Sequence, residues 1–195
     1  GAAYPLDYQP LRQTQPQPGS PGGRSYQVEA SAGGGAIWIE TDGALLLDGI
    51  LRANGLNARE GENTSRWPGS GSGGGIMIIT ERLAGGPDAV IEARGGNGQY
   101  SATTAYGGSG GGGRIAIWHG LKHGDREPLL KDLENPRVQH RLESVAALPR
   151  YHGAPISAEK GEEAFAELDP SGFSESGTVD FIRMHAPFGM FILLR

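Results

Sequence analysis

Gly73-Gly74-Gly75-Ile76-Met77-Ile78-Ile79 is the stretch on which the reading of this chain turns. Three glycines run straight into four apolar residues with no polar spacer. The same arrangement stands at Gly33-Gly34-Gly35-Ala36-Ile37-Trp38-Ile39 and at Gly111-Gly112-Gly113-Arg114-Ile115-Ala116-Ile117, and a degraded copy is Ser176-Gly177-Thr178-Val179-Asp180-Phe181. Short apolar runs rich in isoleucine, bounded by glycine, favour strand over helix.

A second signature alternates with the first. It is apolar-x-Ala, at Val28-Glu29-Ala30, Leu51-Arg52-Ala53, Ile91-Glu92-Ala93 and Ile156-Ser157-Ala158. Its middle residue is Glu, Arg, Glu or Ser, the period-two pattern of a half-buried strand. Gly33 to Gly73 and Ala53 to Ala93 both span 40 residues, which marks an internal repeat. Ala93 to Ala158 spans 65, so an insertion is expected at about 121–152. One such unit cannot bury its apolar face alone, whereas stacked copies share a continuous core. The pattern predicts Ile37 and Ile39, Met77 and Ile79, and Ile115 and Ile117 on one face. Of the 34 glycines, 24 fall within residues 31–120. They serve either as corners needing positive φ or as extended segments packed in a polyglycine-like manner.

The expected fold is therefore all-β, a parallel β-helix or solenoid-like stack of Gly-rich repeats with one short helical insertion. A β-sandwich with polyglycine-like packing is the alternative. Residues 1–24 read as an extended Pro/Gln arm and 25–195 as the Gly-rich β-repeat domain. Asn135-Pro136 resembles a helix start, and Val138, Leu142 and Val145 share a helical face, which predicts a helix over 136–147. Ala158–Leu168 is a second helical candidate that competes with the strand reading of Ile156-Ser157-Ala158.

The segments GGGAIWI, LLLDGILRANG, GSGSGGGIMIIT, VIEARGGNG and YGGSGGGGRIAIW resemble the glycine-rich strand repeats of large secreted and cell-surface bacterial proteins, and Ser176–Phe181 resembles their closing strand. The resemblance covers 28–120 well and 153–182 loosely. It implies a parallel β-helix or related solenoid, an extracellular or cell-surface bacterial setting, and roles in surface architecture and adhesion. It carries no catalytic residues to transfer.

Composition narrows the function. With 17 basic and 22 acidic residues the net charge is −5, and no basic run exists for nucleic acid. There is no apolar stretch of membrane-spanning length, no signal-peptide pattern and no cysteine. The GxGxxG matches at Gly69–Gly74 and Gly108–Gly113 lead into strands, not into the helix that a dinucleotide site requires. His119 and His123, with Asp125 nearby, have a metal-like spacing, but Gly120 and Gly124 interrupt any helix there, so the plainer reading is a polar loop. Arg52, Glu92, Arg94 and Glu159 are outward candidates for a polysaccharide-cleaving face; a solvated face with cross-strand ion pairs is the plainer account. Asn63-Thr64-Ser65 is a glycosylation sequon only in a secretory eukaryotic setting.

No catalytic residue, metal site or cofactor is expected. Trp67, Tyr100 and Tyr106, in loops rich in Gly, Ser and Thr, are the candidate carbohydrate-binding residues, while Trp38 and Trp118 read as packing residues. In the apolar tail Phe188-Gly189-Met190-Phe191-Ile192-Leu193-Leu194-Arg195, the residues Phe188, Met190, Phe191, Ile192 and Leu193 are candidates for self-assembly. The function expected is a non-enzymatic extracellular structural protein, a self-assembling surface or fibre subunit or an adhesin module. A carbohydrate-binding module and a polysaccharide-active enzyme are the alternatives. Further copies of the chain are the expected partners, with a glycan as the second.

Overall fold

The computed structural model describes residues 15–25, 28–59, 67–100, 106–133, 135–164 and 174–187. Its elements are β1 (Ala36–Glu40), β2 (Ala44–Leu47), β3 (Ile50–Arg52), β4 (Gly75–Ile79), β5 (Arg82–Gly85), β6 (Val90–Glu92), β7 (Gln99–Tyr100), β8 (Tyr106–Gly107), β9 (Arg114–His119), α1 (His123–Lys131), α2 (Pro136–Gln139), β10 (Leu142–Ser144) and β11 (Thr178–Met184). The elements are predominantly strands, and the fold is all-β.

The forty-residue echo is a physical register. β1 pairs in parallel with β4, β4 with β9, and β9 with β11; Ala36, Gly75, Arg114 and Thr178 stand opposite one another in turn. β2 is parallel to β5, and Gly85 then bridges Tyr151 in parallel. β3 is parallel to β6, and Glu92 bridges Ser157 in parallel. Each repeat thus contributes to the same three pairings. The largest sheet runs β1-β4-β9-β11-β10 and is mixed, because β10 lies antiparallel to β11. Ile156-Ser157-Ala158 makes a single parallel bridge at Ser157 and no strand; residues 158–164 carry no helix, and 165–168 lie outside the described residues.

The inward face departs from expectation by one residue in the second repeat. Ile37 lies opposite Ile76 and Ile39 opposite Ile78, while Trp38 faces Met77. Ile76, Ile78, Ile115 and Ile117 are buried in one core with Leu83, Ile91 and the alanines Ala53, Ala93 and Ala158. Met77 and Ile79 belong to a second cluster on the opposite face of the sheet. Ala36 pairs with Gly75, an offset of 39 instead of 40, and a one-residue slip moves every side chain to the other face.

The glycine runs obey a different period from the strands. Gly69 and Ser72 donate their N–H groups to the carbonyls of Gly23 and Ser20; Ser70 and Gly73 donate to Gly108 and Gly111; Gly71 and Gly74 donate to Leu56 and Ala53. Donation therefore points in three directions and repeats every third residue. That is the period of an extended threefold helix of the polyproline type, not the period of two of a strand. The carbonyls of Gly69 and Ser72 accept from Ser31 and Gly34, and that of Gly71 accepts from Gly96. Segment 69–75 is so surrounded by residues 20–23, 31–34, 53–56, 94–96 and 108–111. A Cβ on Gly71 would run into the Ala32 carbonyl, and one on Gly74 into that of Gly35. Of the two roles open to the glycines, close packing is the one the runs adopt. The positive-φ glycines among the described residues, Gly49 and Gly120, lie outside the runs.

The same junction recurs in each repeat. The carbonyl of Ala53 accepts from Gly74, that of Ala93 from Gly113 and that of Ala158 from Gly177. A small residue is needed at these alanines because the next glycine run passes directly over them.

The insertion lies on the outer face of the large sheet. Leu129 and Leu133 pack there with Trp118, Ala116 and Met184. The helix expected over 136–147 is cut to the single turn α2: Leu142, Glu143 and Ser144 pair instead with Met184, Arg183 and Ile182. The longer helix, α1, occupies 123–131, which had been read as a polar loop. Arg126 anchors it. Fully buried, it donates from Nη1 to the Thr41 carbonyl at 2.6 Å and from Nη2 to Glu40 Oε1 at 2.9 Å.

Candidate functional site

Of the sequence-predicted aromatic residues, the backbone brings three to one region. β7 and β8 form a short antiparallel pair with Tyr100 opposite Tyr106. Residues 67–70 run alongside 106–108: Ser70 N–H donates to the Gly108 carbonyl, and a Cβ on Gly107 would meet the Trp67 Cβ at 3.2 Å. Trp67 is half-buried, and its indole N–H is enclosed without a hydrogen-bond partner among the described residues. Trp118 is a packing residue, as expected; Trp38 is not, being 41% exposed. Phe188, Met190, Phe191, Ile192 and Leu193 lie outside the described residues, as does the sequon at 63–65.

The charged residues read as outward are ion-paired across strands. Arg52 Nε donates to Glu92 Oε1, and Arg94 Nη2 lies 3.4 Å from Glu159 Oε2. Cations alternate with carboxylates along the ladder, so their charges are mutually compensated. His123 faces Asp42 and Glu40 at 3.6 and 3.8 Å, and no group of three metal-ligating side chains occurs among the described residues.

Two further features were not anticipated. His119 is buried, and burial, followed by the charges of Arg183 and His185, lowers its pKa. It lines a recess of about 660 Å3 with Arg82, Arg150, Arg183 and His185. Glu81 also lines it, 3.8 Å from Arg82, and Glu143, outside its lining, lies 2.8 Å from His185 Nε2 and 3.9 Å from Arg183 Nη1. Glu163 accepts from Ser109 at 2.6 Å and from Ser174 at 2.7 Å. Burial raises its pKa, but the two hydroxyls, the Ser109 backbone and the Lys160 charge together leave the carboxyl below its ordinary value. The cluster ties three extended segments together. Asn57 and Asn97 do similar work: the side-chain carbonyl of Asn57 accepts from Asn97 N–H at 2.8 Å, and that of Asn97 from Glu162 N–H at 2.9 Å. Their spacing of 40 residues was a visible signal for this ladder.

The most extended unpartnered surface is the edge formed by the first repeat. β1, β2 and β3 each have a parallel neighbour on one side only. Among the described residues the exposed large apolar side chains belong to this repeat: Trp38 at 41%, Leu46 at 74%, Ile50 at 56% and Leu56 at 46%. The inward residues Ile37, Ile39, Leu45, Leu47 and Leu51 touch the core yet remain only partly buried, with no outer strand beside them among the described residues.

No helix among the described residues is long and apolar enough to cross a membrane. Comparison of the chain with protein-family models, with curated proteins and with solved structures finds no match.

Proposed function

We propose that this chain is a structural protein without enzymatic activity, whose repeats stack as a solenoid and whose open end joins it to further copies in an extracellular or cell-surface assembly. One observation carries the reading: among the described residues the three strands of the first repeat have no neighbour on their outer side, and this repeat carries the exposed Trp38, Leu46, Ile50 and Leu56. Unpaired strand edges that present apolar side chains recruit another strand, and contiguous apolar patches mark association sites. Parallel stacking makes the outer side of one repeat a template for the next. The glycine-rich repeats of secreted and surface proteins, which the sequence resembles, fit the same role.

The test is sedimentation of the full chain over a range of concentrations, beside a Leu46→Lys, Ile50→Lys double variant. Both side chains already face solvent, so folding is retained. The wild type is expected to form oligomers or filaments, and the variant to need at least tenfold higher concentration for the same association. A wild type that stays monomeric at all concentrations removes the reading.

A further inference from the structure

An extended threefold segment has six sides. Its N–H groups point in three directions and its carbonyls in the three between. Segment 69–75 is met on five of them. Residues 20–23, 53–56 and 108–111 accept from it; Ser31 and Gly34 donate to it on one side, and Gly96 and Arg114 on another. The sixth direction is that of the carbonyls of Ser70 and Gly73, which accept no hydrogen bond among the described residues. By the order of its neighbours this side lies between residues 20–23 and 108–111. A groove of about 210 Å3 runs there, with Gln15 to Ser20 on one wall, Gly111 and Gly112 on the other, and Ser72 to Gly75 at its base. Gly111 has the matching free group. Gly110 and Gly113 donate to Gly96 and Ala93, and Gly112 donates to Glu175, but the Gly111 N–H meets no partner among the described residues. Beyond the glycines the groove continues over Met77, Ala116, Trp118 and Arg114.

From this geometry we infer that the groove is a vacant place in the glycine lattice, filled by the N-terminal segment, residues 1–14, of a second copy of the chain. The inference rests on the self-association proposed above and names one of its contacts. The occupant must be an extended segment offering an N–H to Gly73 and a carbonyl to Gly111. Residues 1–14 hold Pro5 and Pro10, which favour the extended threefold conformation. They hold Leu6 and Leu11 for the apolar floor, and Asp7 for Arg114, whose nearest carboxylate, Asp180, stands at 3.9 Å. They join the described chain at Gln15, on the rim of the groove. Residues 15–23 run antiparallel to 69–75, since Ser72 and Gly69 donate to Ser20 and Gly23, so the same copy could fill the glycine part of its own groove only by turning back within residues 1–14. A segment from a neighbouring copy needs no reversal.

The test uses the full chain with a photo-crosslinking amino acid in place of Leu6, as a mixture of copies with light and heavy nitrogen. Sedimentation is run on the same sample. Irradiation is expected to join residue 6 to peptides containing Met77 or Trp118, with light joined to heavy, and Met77→Glu is expected to cut the yield at least fivefold. Oligomers that form without crosslinks in this groove overturn the inference and leave the self-association reading standing. Crosslinks confined to one isotope show that the arm fills its own groove and overturn the inference. A sample without oligomers removes both.

Discussion

Replacing Gly34 by alanine is expected to destabilise the fold by about 3 kcal/mol, the upper part of the usual range for overpacking. The same change at Gly35, the next residue, is expected to stay within about 0.5 kcal/mol. A Cβ on Gly34 would strike the Ala53 carbonyl oxygen and come within 2.6 Å of both the Ala53 carbonyl carbon and the Gly74 nitrogen; one on Gly35 meets nothing within 4 Å. The atoms met by Gly34 are backbone atoms of a hydrogen-bonded junction, so no side chain can swing aside. The pair shares one run and one composition, so general effects of adding a methyl group to the unfolded chain largely cancel. Urea midpoints of the two variants measure the difference. Equal midpoints would mean that the glycines are spacers and not packing surfaces.

Ile78→Ala is expected to cost about 4 kcal/mol, within the usual range for emptying a buried aliphatic site. Ile78 is fully buried and stands in register between Ile39 and Ile117. Both neighbours are fixed by backbone pairing, so the cavity cannot collapse from either side. Ile39→Ala is expected to cost roughly half as much, since Ile39 is only partly buried and has a registered neighbour on one side alone. Denaturant unfolding measures both. A larger loss at Ile39 than at Ile78 would place the centre of the core in the first repeat and reverse the order of layers described above. Should Ile78→Ala fail to fold, Ile78→Val, expected near 1 kcal/mol, preserves the comparison.

Much of this architecture was legible in the residues because the repeat wrote it three times. The glycine-to-isoleucine junctions and the two central apolar-x-Ala segments, β3 and β6, fall where spacing placed them. The inward face of β4 was misjudged because the offset of its register is 39, one less than the distance between glycine runs. The helices were exchanged for a reason of tertiary origin. Asn135-Pro136 does start a helix, but the backbone of 142–144 pairs with β11 and ends it. α1 carries Gly124 and Pro128, both poor helix formers; it is held by the burial of Arg126 and Leu129, which no helical period advertised. The edge of the first repeat was hidden for a different reason. Trp38 and Leu46 occupy ordinary strand positions that alternate with the core-facing residues, and their strands have no outer neighbour among the described residues. Trp67, Tyr100 and Tyr106 were readable as aromatic residues in loops rich in Gly, Ser and Thr, and the chain does set those backbones side by side.

The central claim is that the glycine runs form a lattice bonded in three directions, with the isoleucine strands in register beside it. Residue-resolved amide hydrogen exchange of the folded chain tests this most directly. The account predicts that the amides of residues 69–74, which belong to no strand, are slowed on the order of a thousandfold or more, as in cooperative hydrogen-bonded structure, with the Gly75 amide, which donates to the Gly35 carbonyl, equally slow. Exchange of residues 69–74 at the rate of an open loop, while the isoleucine strands stay protected, would contradict it.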